Sequence, residues 1–263
     1  MLFEMNEFVI LGGLVVVYFG ASEVGYQLGR RRAGNFDDAD KSHVGALQSA
    51  LLGLLALLLG FSFAMAVSRF DMRKRLLLDE VNAIGTTYLR AGFLQEQSAE
   101  AKSLLRSYVD ARLEFNGQDI SADQLAQMYA SAGAINQRLW SIATAAAAQD
   151  PKSVPTGLFI ASLNDMIDLA EARRAAFSNH IPEPIVLLLV LVSCGAFGFI
   201  GFNRGTAGPR NLPATTTFIV LSAMVLLIIL DVDRPRRGLI LVDQGIMVRL
   251  QSNLAREAVG EAL

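Results

Sequence analysis

Cysteine occurs once in these 263 residues, histidine twice, and proline not at all before position 151. The lone cysteine, Cys194, excludes an intrachain disulfide. His43 and His180 with one cysteine do not make a zinc or haem site, so the sequence implies no metal and no cofactor. Glycine-rich phosphate loops, nucleophile elbows and metal motifs are missing too, which leaves catalysis without a constellation to carry it. Charge is scarce: 18% of residues are charged and the net formal charge is −2, against about 25% charged in ordinary soluble domains. The first 150 residues pass without the strongest helix breaker, and no strand-like alternation or internal repeat appears. What remains is an all-α chain.

Apolar residues make up 52% of the sequence and they are clustered. A bilayer-crossing helix needs about 20 of them in a row. Four segments meet or approach that length: Phe8 to Leu28, Val44 to Val67, Ile185 to Phe202 and Ala214 to Leu230. The chain begins MLFEMNE, with no Lys or Arg ahead of the first apolar run, so that run is expected to be a retained span and not a cleaved signal. The division expected is transmembrane helices one and two over residues 1–68 and a helical extramembrane domain over 69–181. Transmembrane helices three and four follow over 182–232, then a juxtamembrane segment and amphipathic tail over 233–263.

Span two runs without interruption into a charged stretch where Leu77, Val81, Ile84 and Tyr88 mark one helical face, and Leu105, Tyr108, Val109 and Arg112 continue in the same style. Helical from Val44 to about Phe115, this would be a rod about 100 Å long at 1.5 Å per residue, with Gly85 and Gly92 as bends. A turn is expected at 116–119. Ser121 reads as the N-cap of an alanine-rich helix, Pro155-Thr156 opens another through about Asn179, and IPEP at 181–184 precedes span three. Residues 69–181 carry 12 Lys and Arg against 13 Asp and Glu, which excludes a nucleic-acid partner. Near the spans, ten basic residues fall on the side of this domain and six on the other. That imbalance places the domain in the cytoplasm, although Arg30-Arg31-Arg32 after span one argues for the reverse.

In span two, Gly45, Ser49, Gly53, Ala56, Gly60 and Ala64 fall along one side. Such a stripe allows close helix packing in lipid. Alternatively it lines a pore, with Ser49, Gly53 and Gly60 keeping the lumen open and Phe63, Val67 and Phe70 forming an apolar constriction. Glu23 is the one carboxylate within a span, expected near the interface beside Arg30 or Arg31. After span four stands Asp231-Val-Asp233-Arg234-Pro235-Arg236-Arg237. Its aspartates are expected to pair with arginines, Arg69 and Arg73 below span two being the candidates, in a knot of charges at the membrane surface. The same arginines suit anions or anionic headgroups, and membrane lipid is an expected partner. In the tail, Ile246, Leu250 and Leu254 mark a helix lying on the membrane or on the middle domain.

The runs LLGLLALLLGFSFAMAVSRFDMRKRLLLDEVNAIGTTYLRAGFL and LRSYVDARLEF, with DVDRPRRG after the last span, resemble bacterial membrane proteins of a bestrophin-like family. Bestrophins are pentameric anion channels with four spans, a helical cytoplasmic region and a pore lined by the second span. The resemblance therefore implies a homo-oligomer, a pentamer, in the bacterial inner membrane that passes small inorganic ions. Phe63, Val67 and Phe70 would then form its neck. The acidic calcium-binding cluster of animal bestrophins has only Asp231 and Asp233 as counterparts, which departs from calcium gating. The rival reading is a membrane sensor or scaffold whose helical domain binds a ligand or protein partner.

Overall fold

Four helices are long and apolar enough to cross a membrane, and among the described residues there is no strand. The structure, a computed structural model, describes residues 6–35, 37–114, 121–207, 212–235 and 238–260. The helices are α1 (Glu7–Arg32), α2 (Asp38–Ala91), α3 (Ser98–Leu113), α4 (Ala122–Gln149), α5 (Val154–Ser178), α6 (Glu183–Ala207), α7 (Leu212–Asp233) and α8 (Gly245–Val259). Each of the four expected spans lies inside one helix: α1, α2, α6 and α7. Helices α3 to α5 fall between the second and third of these in the chain.

The expected rod is shorter than its sequence suggested. Helix α2 has 54 residues, about 80 Å at 1.5 Å per residue, and stops at Ala91. Gly92 to Leu94 close a turn by bonding back to Leu89, Arg90 and Ala91. Gln95 then takes φ 52°, in the left-handed region. Leu94 is buried at this corner, and its burial favours the turn over continued helix. Helix α2 runs without interruption through Gly85, where an added Cβ would make an ordinary van der Waals contact with the Leu250 side chain of α8. Phe115 and the expected turn at 116–119 lie outside the described residues.

The chain divides into two compact units. The first comprises Met1–Arg69, His180–Arg234 and Gly238–Ile240. Its tightest packing is between α1 and α6, where glycines replace side chains. A Cβ at Gly25 or Gly29 would strike the backbone of Gly198 or Phe202, and one at Gly201 or Gly205 would strike that of Ser22 or Tyr26. Small residues let helix backbones touch where lipid supplies no hydrophobic drive. Tyr18, Phe197, Ile219 and Ala223 fill the adjoining core, with the Phe197 ring 5.0 Å from Tyr18 and 5.6 Å from Phe218.

The second unit comprises Phe70–Asn179, Pro235–Arg237 and Leu241–Leu263. Leu77, Ile84 and Tyr88 of α2 are buried with Leu105 and Tyr108 of α3, Leu139 of α4, and Phe159, Leu163 and Met166 of α5. Each such side chain contributes about 1.5–3 kcal/mol on leaving water. Ser121 caps α4 in a reciprocal box with Gln124, and Ser153 caps α5 with proline in the first turn. Of the two places open to the tail, α8 takes the helical core. Leu254 and Met247 are buried, Ile246 and Leu250 pack beside them, and Lys102 reaches Glu257 at 2.8 Å.

Candidate functional site

Along its apolar part, α2 presents three different surfaces. Val44, Leu55, Ser62 and Ala66 are buried and form one stripe at about 100° per residue. Roughly 145° round the helix lie Ser49, Gly53 and Gly60, all exposed. Among the described residues, a Cβ added at Gly45, Gly53 or Gly60 would meet nothing within 4 Å beyond its own stretch of helix. Among the described residues, then, the glycines of this α2 stripe are not the ones that pack; those of α1 and α6 are. Phe63 continues this open line at 43% exposure, with Val67 and Phe70 half-buried beyond it. The third surface carries Leu47, Leu54, Leu57 and Phe61, large apolar groups without cover.

At the end of α7 the charges are arranged differently from simple pairing. Asp231 and Asp233 stand about 200° apart around the helix and serve different partners. Asp231, 3% exposed, accepts the backbone N–H groups of Leu239 and Ile240 at 3.0 Å. Arg69 turns instead to Asp233, its Nη1 3.7 Å from Oδ1. The other oxygen of Asp233 accepts the Ile181 N–H at 2.7 Å and lies 3.8 Å from His180 Nδ1. Arg234 donates to Glu7 of α1 at 3.0 Å, and Arg73 is buried. Arg236 and Arg237 lie outside the described residues. The expected pairing of Asp231 with Arg69 gives way because Leu239 and Ile240 belong to no helix or strand and have no ladder for their N–H groups.

These contacts have a topological meaning. Arg69, His180, Arg234 and Ile240 are the residues at which the chain enters or leaves the first unit, and Gly238 is a fifth. Asp233 gathers Arg69 and His180, while Asp231 gathers Leu239 and Ile240, so two carboxylates hold most of the unit's loose ends. Gly238 has φ 121°, and a Cβ there would strike the Asp231 carboxylate, which requires glycine twice over. Replacing Asp231 with alanine should free both amides at a cost of about 2–3 kcal/mol. Amide hydrogen exchange at Leu239 and Ile240 measures this; unchanged protection would refute it.

Glu23 lies half-buried on α1, accepting a hydrogen bond from Gln27 at 3.0 Å. With Ser22, Tyr26, Arg204 and Thr215 it lines a small, half-open pocket of about 50 Å³. Among the described residues no cluster of three His, Cys, Asp or Glu could hold a metal ion.

The model of the bestrophin-like domain matches residues 15–245. The chain belongs to the bestrophin-like family. A crystal structure of a bacterial bestrophin homologue from Klebsiella pneumoniae is similar with a TM-score of 0.66 at 15% identity, covering 98% of this chain and 100% of that one. At that identity the likeness concerns the fold. No curated protein matches. The bestrophin-like chain is a multi-pass, all-helical membrane protein.

Sequence reasoning missed the most heavily charged interior of this bestrophin-like chain. Glu80 of α2 is fully buried in the second unit. Its Oε1 accepts from Tyr108 at 3.2 Å and lies 2.9 Å from Arg112 Nε. Its Oε2 accepts from Arg112 at 3.1 Å and Arg173 at 2.6 Å. Arg173 also donates to Gln244, at 2.8 Å. Burial opposes ionisation of Glu80, but the Arg112 and Arg173 guanidiniums outweigh it and hold the carboxyl below the usual range. Burial, followed by the nearby Glu80 charge, pushes the Tyr108 hydroxyl up, so it stays a neutral donor. The available signals were that Glu80 falls on the face of Leu77, Ile84 and Tyr88, and that Arg112 falls in line with Leu105, Tyr108 and Val109.

Proposed function

We propose that the protein is one subunit of a homo-oligomeric ion channel in the bacterial inner membrane, anion-preferring, with α2 around the pore. The observation that carries this reading is the pair of uncovered surfaces on α2. A helix whose small-residue and bulky faces both lack cover in its own chain is one that neighbouring copies and a lumen can complete. Narrow passages ringed by apolar side chains gate by dewetting, and Phe63, Val67 and Phe70 supply such side chains on the open line. Five copies is the number the family resemblance implies. The helical unit between α2 and α6 is the extramembrane domain, cytoplasmic by the ten-to-six excess of basic residues near the spans.

Purified oligomer in planar bilayers tests the proposal. Conductance with an anion-dominated reversal potential is expected, and a well-ordered oligomer silent at every voltage and pH would overturn it. Phe63→Ala should widen the constriction and raise conductance or leak several-fold; an unchanged single-channel current removes Phe63 from the neck. A second reading rests on the same stripe: two copies packed face to face at Gly53 and Gly60 would make a non-conducting scaffold. The particle's symmetry separates the two, since a dimer without an axial path supports the scaffold.

A further inference from the structure

Where the first turns of α4 meet the last turns of α5, the second unit carries a half-open groove of about 550 Å³. Every residue that lines it, among those described, belongs to that unit. Leu125 and Tyr129 stand one turn apart on α4, and Glu171, Arg174 and Ser178 share one face of α5 at spacings of three and four. Phe177 adds a second ring to the lining. Both rings are fixed from within. Arg112 Cζ lies 5.9 Å from the Tyr129 ring centre and Arg173 Cζ 5.5 Å from that of Phe177, and both guanidiniums are anchored on buried Glu80. The groove is thus built on helices braced by the charged interior of the unit, not on a loop. Its size, its apolar and aromatic lining and its few polar groups are those of a small-molecule site.

We propose that this groove binds a zwitterionic α-amino acid with an apolar side chain. The charges in it are of both signs. Arg174 Cζ lies 4.5 Å from the Tyr129 ring centre, which holds the guanidinium in place. Glu171 stands 3.8 Å from that guanidinium, beyond hydrogen-bond distance. At 54% and 68% exposure the pair contributes little to the fold. A simple anion would be repelled by Glu171 and a simple cation by Arg174. An α-amino acid carries its carboxylate and its ammonium on one carbon, so it completes a square of four alternating charges. Arg174 meets the carboxylate with parallel N–H donors, and Glu171 accepts from the ammonium. The side chain then lies against Leu125, Tyr129 and Phe177, where its apolar surface leaves water. No residue of α2 lines the groove, so the proposal stands apart from the pore reading.

Calorimetric titration of L-phenylalanine into the full-length protein in detergent tests this. Saturable binding is expected. It should weaken about tenfold or more for phenylpropionate, which lacks the ammonium, and for phenethylamine, which lacks the carboxylate. Glycine, without an apolar side chain, should bind more weakly by a similar factor. Arg174→Gln should weaken phenylalanine about tenfold and leave phenethylamine unchanged, whereas Glu171→Gln should weaken phenylalanine and leave phenylpropionate unchanged. Ala175→Trp, which fills the groove from an exposed position, should abolish binding. Thermal melts of these variants should match that of the unaltered protein, because positions 171, 174 and 175 are exposed. Absence of binding by both phenylalanine and leucine up to millimolar concentration overturns the proposal. So does equal affinity for phenylpropionate, or an affinity for phenylalanine that neither charge variant changes. Displacement of phenylalanine by glycerophosphoethanolamine assigns the groove to a lipid headgroup and overturns it as well.

Discussion

Glu80→Gln should destabilise the helical unit by about 3–5 kcal/mol, because it leaves two guanidiniums buried without their shared counter-charge. Arg112 and Arg173 both depend on this one carboxylate, and their side chains are 4% and 7% exposed. Glutamine keeps the volume and one acceptor oxygen but not the charge. A thermal melt of purified protein should fall by on the order of 10 °C. Arg138→Ala provides the contrast: its pair with Glu100 is 70% and 52% exposed, and its loss should cost under about 1 kcal/mol. The pH dependence has a definite sign. Glu80 titrates lower in the folded protein than in the unfolded chain, so its stabilisation is complete above the ordinary carboxylate range. It is lost as pH falls through the depressed folded value. The gap between the two melts should be flat from about pH 6 upward and close only in acid. A gap that widens on acidification would contradict the assignment.

Gly201→Val should be as damaging in the membrane unit. Any Cβ at position 201 meets the Ser22 carbonyl and the Tyr26 amide nitrogen, and backbone cannot move aside as a flexible side chain does. Overpacking typically costs about 1–3 kcal/mol. Here α1 and α6 must separate along their length, so the upper end or beyond is expected, read as loss of the monodisperse species in detergent. Gly60→Ala is the informative partner experiment. Among the described residues nothing beyond its own stretch of helix lies within 4 Å of a Cβ at Gly60, so the fold of the single chain should be unaffected. Any change in oligomer stability then reports contact with a neighbouring copy.

The four spans were legible because length and apolarity are local properties that the bilayer imposes segment by segment. The Ser121 cap and the face of Leu77, Ile84 and Tyr88 were legible for the same reason: each is read within one helix. What escaped was settled by distant partners. Glu80 looks like any charge in a charged stretch until Arg112 and Arg173, 32 and 93 positions later, close on it. The glycines of α2 drew attention as a packing stripe, while Gly25, Gly29, Gly201 and Gly205 pack instead, because a spacing does not reveal which helix will lie opposite. The roles of Asp231 and Asp233 were half visible: Asp233 takes an arginine, but Asp231 serves backbone amides, whose needs leave no trace in side-chain identity. The end of α2 at Ala91 was marked by Gly92, yet Gly85 carries the same mark and is passed straight through.

The union of α1 with α6 also sets a timetable. Gly25 emerges from the ribosome some 170 residues ahead of Gly198, and synthesis proceeds at about 5–20 residues per second. For roughly 10 to 30 s, α1 therefore sits in the bilayer with its glycine face against lipid, before the helix that fits it exists. During that interval it is equally complementary to a completed α6 from another nascent chain. Crowded synthesis therefore favours exchange of α1 between copies, and slow expression should increase the share of correctly closed subunits.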